Sequence, residues 1–196
     1  MTGIIEEMIN NVWRFQRGYK VEPGGRKNPD NFKHYRPWGF TIYRTYYGKE
    51  SDEHWHSLLH SLRHQTKLAF GAFEKDKETD QDDRQRLKEL FELDVYEDPS
   101  QLDGLDERGL REFCNAEISK ATKVVHKAIH EITVSTRPVE KQGMSDYVYG
   151  FVLLADEAVF KDIEKGESIV KTVSLYWDGY AGWGWMRIPT GYLLEF

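Results

Sequence analysis

The sequence predicts a single α+β domain: a mixed β-sheet of about five strands with helices packed on it. Three observations carry that reading. Helical and strand-like apolar periods alternate along the 196 residues. The last two strand-like segments are joined by a tight Asp178-Gly179 turn, which demands an antiparallel pair in the sheet. The chain is 39% hydrophobic with 10 Phe, 11 Tyr and 6 Trp, enough apolar area for one sizeable core.

Each element has its own signal. Ile5, Met8, Ile9, Val12 and Trp13 follow the i, i+3, i+4 rule and predict a helix over residues 3–17, with Thr2 as N-cap and Gly18 as stop. Residues 18–37 are a loop broken by Pro23-Gly24-Gly25 and Asn28-Pro29. Residues 38–47 are aromatic and β-branched and predict a strand. Ser51 then caps a helix through about Thr66, with Trp55, Leu58, Leu59 and Leu62 on its apolar face.

Residues 74–86 hold no apolar side chain and read as a charged, solvated linker or a helix start. Residues 87–96 predict a turn of helix running into a strand. From Asp106, the steps Leu110, Phe113, Cys114, Ile118, Ala121, Val125, Ala128, Ile129 and Ile132 keep a helical phase. They predict one long helix ending before Arg137-Pro138. Residues 146–154 are apolar on both faces and predict a central strand. Asp156 caps a short helix bearing Val159, Phe160 and Ile163 and stopped by Gly166. Strands follow at 168–177 and at 183–188, the last stopped by Pro189.

Mean hydropathy of -0.68 and 31% charged residues exclude a bundle of membrane-spanning helices. The net charge of -6 argues against a general polyanion binder. One cysteine, Cys114, excludes an intramolecular disulfide. The acidic start without a continuous apolar run does not read as a secretory signal, and no Asn-x-Ser/Thr sequon occurs. Cytoplasmic residence is the expectation.

The blocks RPWGFTIYRTYYG, SDEHW, the apolar strand entering Asp156-Glu157, VKTVSLYWD and GWMRIP resemble a large group of fungal single-domain proteins of unknown function. The resemblance spans residues 36–190 in scattered blocks. It implies a fungal α+β protein and brings no activity, cofactor or catalytic residue with it.

Four constellations offer chemistry. His56, His60 and His64 recur every fourth residue, with His54 nearby; imidazoles at i and i+4 can share a metal ion. The outer two lie about 12 Å apart at 1.5 Å per residue, so the three cannot share one ion. They also point away from the Trp55/Leu58 face, as an ordinary solvated surface does. Asp94, Glu97, Asp98, Asp156, Glu157 and Asp178 follow predicted strands. If they converge at strand ends they would hold Mg²⁺ or Mn²⁺ for hydrolysis or phosphoryl transfer; otherwise each is a cap or turn residue.

Residues 14–36 interleave Arg14, Arg17, Lys20, Arg26, Lys27, Lys33 and Arg36 with Phe15, Tyr19, Phe32 and Tyr35, a pattern that suits single-stranded nucleic acid. The acidic stretch 74–98 can instead neutralise them within the chain. Last, Tyr176, Trp177, Asp178, Tyr180, Trp183 and Trp185 alternate with Gly179, Gly182 and Gly184, the composition of a ligand cleft or an interface. Trp183 and Trp185 share one strand face, and Met186 and Ile188 share the other. With Met186 and Ile188 inward, both tryptophans face out; in the opposite register both are core.

Walker, Rossmann, HExxH and GxSxG motifs are absent from the sequence. The reading therefore leans away from catalysis. It expects a cofactor-free binding or interaction protein that uses the 176–185 aromatic surface toward a protein or small-molecule partner, not a nucleic acid and not a membrane. A divalent-metal hydrolase or phosphotransferase is the alternative, and a nucleic-acid-associated protein the second alternative.

Overall fold

The computed structural model describes residues 4–14, 19–72, 80–120, 122–127, 130–135, 139–180 and 182–194. Its centre is a five-stranded mixed sheet in the order β2-β1-β5-β6-β7. These strands are β1 (Trp38–Arg44), β2 (Phe91–Tyr96), β5 (Phe151–Ala155), β6 (Ile169–Ser174) and β7 (Trp185–Pro189). β1 pairs in parallel with β2 and with β5, whereas β5–β6 and β6–β7 are antiparallel. The expected α+β architecture is the observed one. The chain that reads as apolar on both faces occupies the middle of the sheet, as β5.

Both faces of the sheet are covered. On one face, Phe40, Ile42, Leu153, Val170 and Ile188 meet four helices: α1 (Ile4–Val12), α2 (Ser51–Ala72), α3 (Gln81–Leu90) and α7 (Glu157–Glu164). Trp55, Leu58 and Leu62 of α2 are wholly buried there. On the other face, Tyr43, Val152, Leu154, Val173 and Leu175 pack against α4 (Pro99–Leu102) and α5 (Glu107–Lys120) through Leu102, Leu110 and Cys114. Alternation along each strand thus feeds two cores, because successive side chains point to opposite faces.

Several boundaries differ from expectation. α1 is described only to Val12; the rest of the expected 3–17 helix falls on Trp13 and Arg14 and on residues 15–18, outside the described set. The loop 18–37 is pinned rather than open: short 3-10 turns at Gly25–Lys27 and Pro29–His34 close around buried Asn31, whose amide donates to the carbonyl oxygens of Glu22 and Gly25. α2 runs on to Ala72, past Thr66. Within 74–86, residues 74–79 lie outside the described set. From Gln81 the block is α3, capped by Asp80, with Asp83 and Arg84 buried despite their charge. The expected strand 146–154 begins only at Phe151, because Ser145–Val148 makes one helical turn, α6.

The largest correction is the long helix. α5 ends at Lys120, and β3 (Thr122–Lys127) and β4 (His130–Ser135) form a separate antiparallel hairpin with Val125 opposite Ile132. The steps of three and four beyond Ile118 fitted a helix, but Thr122, Val124, Val125, Ile132, Thr133 and Val134 are β-branched. Such side chains lose χ1 freedom in a helix and suit a strand.

Candidate functional site

The C-terminal hairpin builds one wall of a large cavity. β6 leaves the sheet at Ser174, and the chain turns at Asp178, whose Oδ1 accepts the Tyr180 N–H at 3.1 Å. Helix α5 clamps this loop from behind. Arg111 donates to the carbonyl oxygens of Ser174 (2.8 Å) and Gly184 (3.0 Å), and Asn115 donates to that of Leu175 (3.2 Å). Gly184 has φ +70, and a side chain there would meet the Trp177 ring at 2.5 Å. Gly150, at φ +69, admits the Tyr176 ring in the same way. Both glycines therefore serve close approach of rings to backbone.

The cavity has a volume of about 680 Å³ and lies on the α1 side of the sheet. Trp38, Phe40, Phe151, Thr172, Ser174 and Met186 make its floor; Glu7, Met8, Asn11 and Val12 of α1 make the facing wall. Trp177, Trp183 and Trp185 close the hairpin side, with Tyr149 and Leu193 at its ends. Such a volume lies inside the range of roughly 300–1,000 Å³ typical of small-molecule sites. At the cavity's end Tyr149 contacts Asn11. Partial burial pushes its hydroxyl pKa up and the Glu7 carboxylate adds to this, against the Asn11 hydrogen bond and the Arg14 charge.

Of the six hairpin residues picked from the sequence, Trp177, Trp183 and Trp185 line this cavity. Tyr176, Asp178 and Tyr180 are exposed and stand outside the lining. The two tryptophans expected to share a fate are split. Trp183 is 80% exposed, whereas Trp185 is partly buried on the second core with Lys171 Nζ 4.9 Å from its ring centre. Of the two residues that one register turns inward, Ile188 is buried but Met186 is half exposed in the cleft, and Trp185 does not face solvent, because helices cover the second sheet face as well. The hairpin's own sequence carries no trace of the α1 wall; the signal for that wall is the apolar stripe of residues 5–13.

The strand-end carboxylates do not converge. Asp94 lies within β2 with Lys141 Nζ 3.1 Å away, and Lys141 also holds Glu92 at 2.7 Å. Glu97 and Asp52 flank the buried Arg44 guanidinium at 3.4 and 2.5 Å. Asp98 caps α4, and Glu157 pairs with Lys161 on the surface of α7. Asp156 caps α7 and meets Lys171 at 2.5 Å. β6 runs antiparallel to β5, so Asp178 leaves the sheet at the end opposite Asp156. Among the described residues no three His, Cys, Asp or Glu side chains gather at metal-binding distance.

The histidines take the outer side of α2: the His60 and His64 rings stack at 5.9 Å, and His56 Nδ1 bonds the Asp52 carbonyl oxygen at 2.6 Å. Two cations of the basic segment pair with the acidic stretch, and a third finds a neutral amide. Arg26 meets Asp83 at 2.9 Å, Lys27 meets Asp80 at 2.5 Å, and Arg36 donates to Gln142 at 2.8 Å. The Phe32 ring is taken by Arg86 at 4.0 Å. Phe15 and Arg17 lie outside the described residues. Cys114 is buried, and burial first of all pushes its thiol up to about 11, so it is protonated at neutral pH.

Comparison with protein-family models, with curated proteins and with solved structures finds no match for this chain. No helix among the described residues is long and apolar enough to cross a membrane.

Proposed function

We propose that this chain is a non-enzymatic binding protein whose site is the cleft between α1 and the C-terminal hairpin, and that its ligand is a small, largely apolar molecule. The single observation carrying the reading is the enclosure of about 680 Å³ by Trp177, Trp183 and Trp185 on one side and α1 on the other. Aromatic walls with a few polar groups are the usual lining of such sites. The α5 clamp on the hairpin backbone supports a wall formed before the ligand arrives, which lowers the ordering cost of binding. A reducing, cytoplasmic setting suits the lone buried thiol of Cys114.

The test is a fluorescence titration with N-phenyl-1-naphthylamine, a neutral apolar dye. Saturable one-to-one binding with quenching of tryptophan emission is expected. Ser174→Phe fills the floor of the cleft and should abolish the signal without lowering the melting temperature by more than a few degrees. Absence of saturation in the wild type, or a Ser174→Phe protein that binds equally well, overturns the reading.

A further inference from the structure

Resting on that reading, we propose that the cleft selects an organic ammonium ion: a small molecule with a cationic head and an apolar tail. Among the described residues, Glu7 is the only charged side chain in the lining. The remaining polar contributors are neutral, notably Asn11, Thr172, Ser174 and Tyr149. Among the described residues, then, the lining offers a charged ligand head one carboxylate and no cation of its own. The Glu7 field reaches the cleft's end, where it acts on the Tyr149 hydroxyl. Arg14 acts on that hydroxyl in the opposite sense, but it stands outside the lining, with its Nε donating to the Asn11 carbonyl oxygen at 2.8 Å.

The indoles point the same way. Arg111 lies 4.9 Å from the Trp177 ring centre and Lys171 4.9 Å from that of Trp185, so each of these rings already takes a protein cation. Trp183 is 80% exposed and has no such cation among the described residues. Its π face is open to a cation brought by the ligand, the interaction that selects quaternary ammonium groups. Carboxylate and ring together should raise affinity on the order of tenfold over a neutral head. The source is a free molecule rather than a protein side chain: a lysine stem of four carbons fills a small share of about 680 Å³.

Octyltrimethylammonium, 1-octanol and octyl sulfate share a tail and differ in the head. Calorimetric titrations below micelle formation, with melting curves to confirm that the fold persists, should rank them in that order, the first about tenfold tighter than the second. Glu7→Gln should cut the preference to a few-fold and leave octanol unchanged, and Trp183→Leu should remove most of the remainder. If octanol binds but the ammonium binds no tighter, or if both variants keep the preference, this inference falls and the cleft reading stands. If none of the three binds, both fall. Tighter binding of N-acetyl-trimethyllysine amide than of octyltrimethylammonium overturns the choice of a tailed small molecule.

Discussion

Lys171→Met tests the buried charge cluster that ties α5, α7 and β6 together. Lys171 is 7% exposed, and its Nζ lies 2.5 Å from both Glu107 and Asp156, with the Trp185 ring beside it. Burial alone would lower its pKa, but hydrogen bonds and charge from the two carboxylates outweigh that and hold it above the ordinary lysine value. Its stabilisation is therefore complete below the unfolded pKa of about 10.4 and fades only as pH rises through the folded one. At pH 7 the substitution leaves two carboxylates, each only 19% exposed, facing a methionine.

Breaking a buried pair in this way costs about 3–5 kcal/mol. For a chain of this size that corresponds to a fall in Tm of roughly 6–20 °C. Urea unfolding followed by far-UV circular dichroism measures it, with the m-value as a check on the unfolded state. Adding Glu107→Gln and Asp156→Asn to Lys171→Met should restore most of the loss, since asparagine still caps α7 and no buried charge remains. A loss below about 1 kcal/mol, or no recovery on neutralising the carboxylates, would refute the reasoning.

Two further predictions follow from the second core. Trp185→Ala should cost about 2–3 kcal/mol, since the ring is partly buried, whereas Trp183→Ala should stay within about 0.5 kcal/mol; equal losses in thermal melts would mean the two rings are not split between core and cleft. Burial holds the Cys114 thiol up at about 11, so stability should fall by up to about 3 kcal/mol as pH rises from the ordinary thiol range through that value. Denaturation curves of Cys114→Ala should show a flatter alkaline slope, the remainder coming from Tyr43, which burial also raises; an unchanged slope removes Cys114 from the account.

Local chemistry was legible wherever one short segment sufficed. Asp156 was readable as a cap because a carboxylate ahead of a Val159/Phe160/Ile163 stripe has one obvious use, and it accepts the Val159 N–H. The α2 stripe of Trp55, Leu58 and Leu62 needed only the 3.6 period to be placed inward. The same reasoning fails past Ile118, where spacing and β-branching point to different elements and the backbone follows the β-branching. The block 74–86 reads as a solvated linker or a helix start, and from Gln81 it is helix. Asp83, buried within it, meets Arg26 from 57 residues earlier, and no local pattern contains that pairing.

By itself, then, the sequence determined the α+β class, the location of an aromatic hairpin and most element types, though not the β3–β4 pair or the α6 turn, because propensity and period act within about ten residues. The tertiary structure alone decided which carboxylates meet: reversal of β6 against β5 sends Asp178 and Asp156 to opposite ends of the sheet. It also decided that Trp185, while lining the cleft, is partly buried against the second core and that Trp183 stays exposed, because α5 covers the second face while the loop before β7 lies beyond the sheet. And it brought α1, from the other end of the chain, against the hairpin to make a cavity. Burial and enclosure arise from surfaces distant in sequence, so a periodicity confined to one segment can state which face is apolar but not what will cover it.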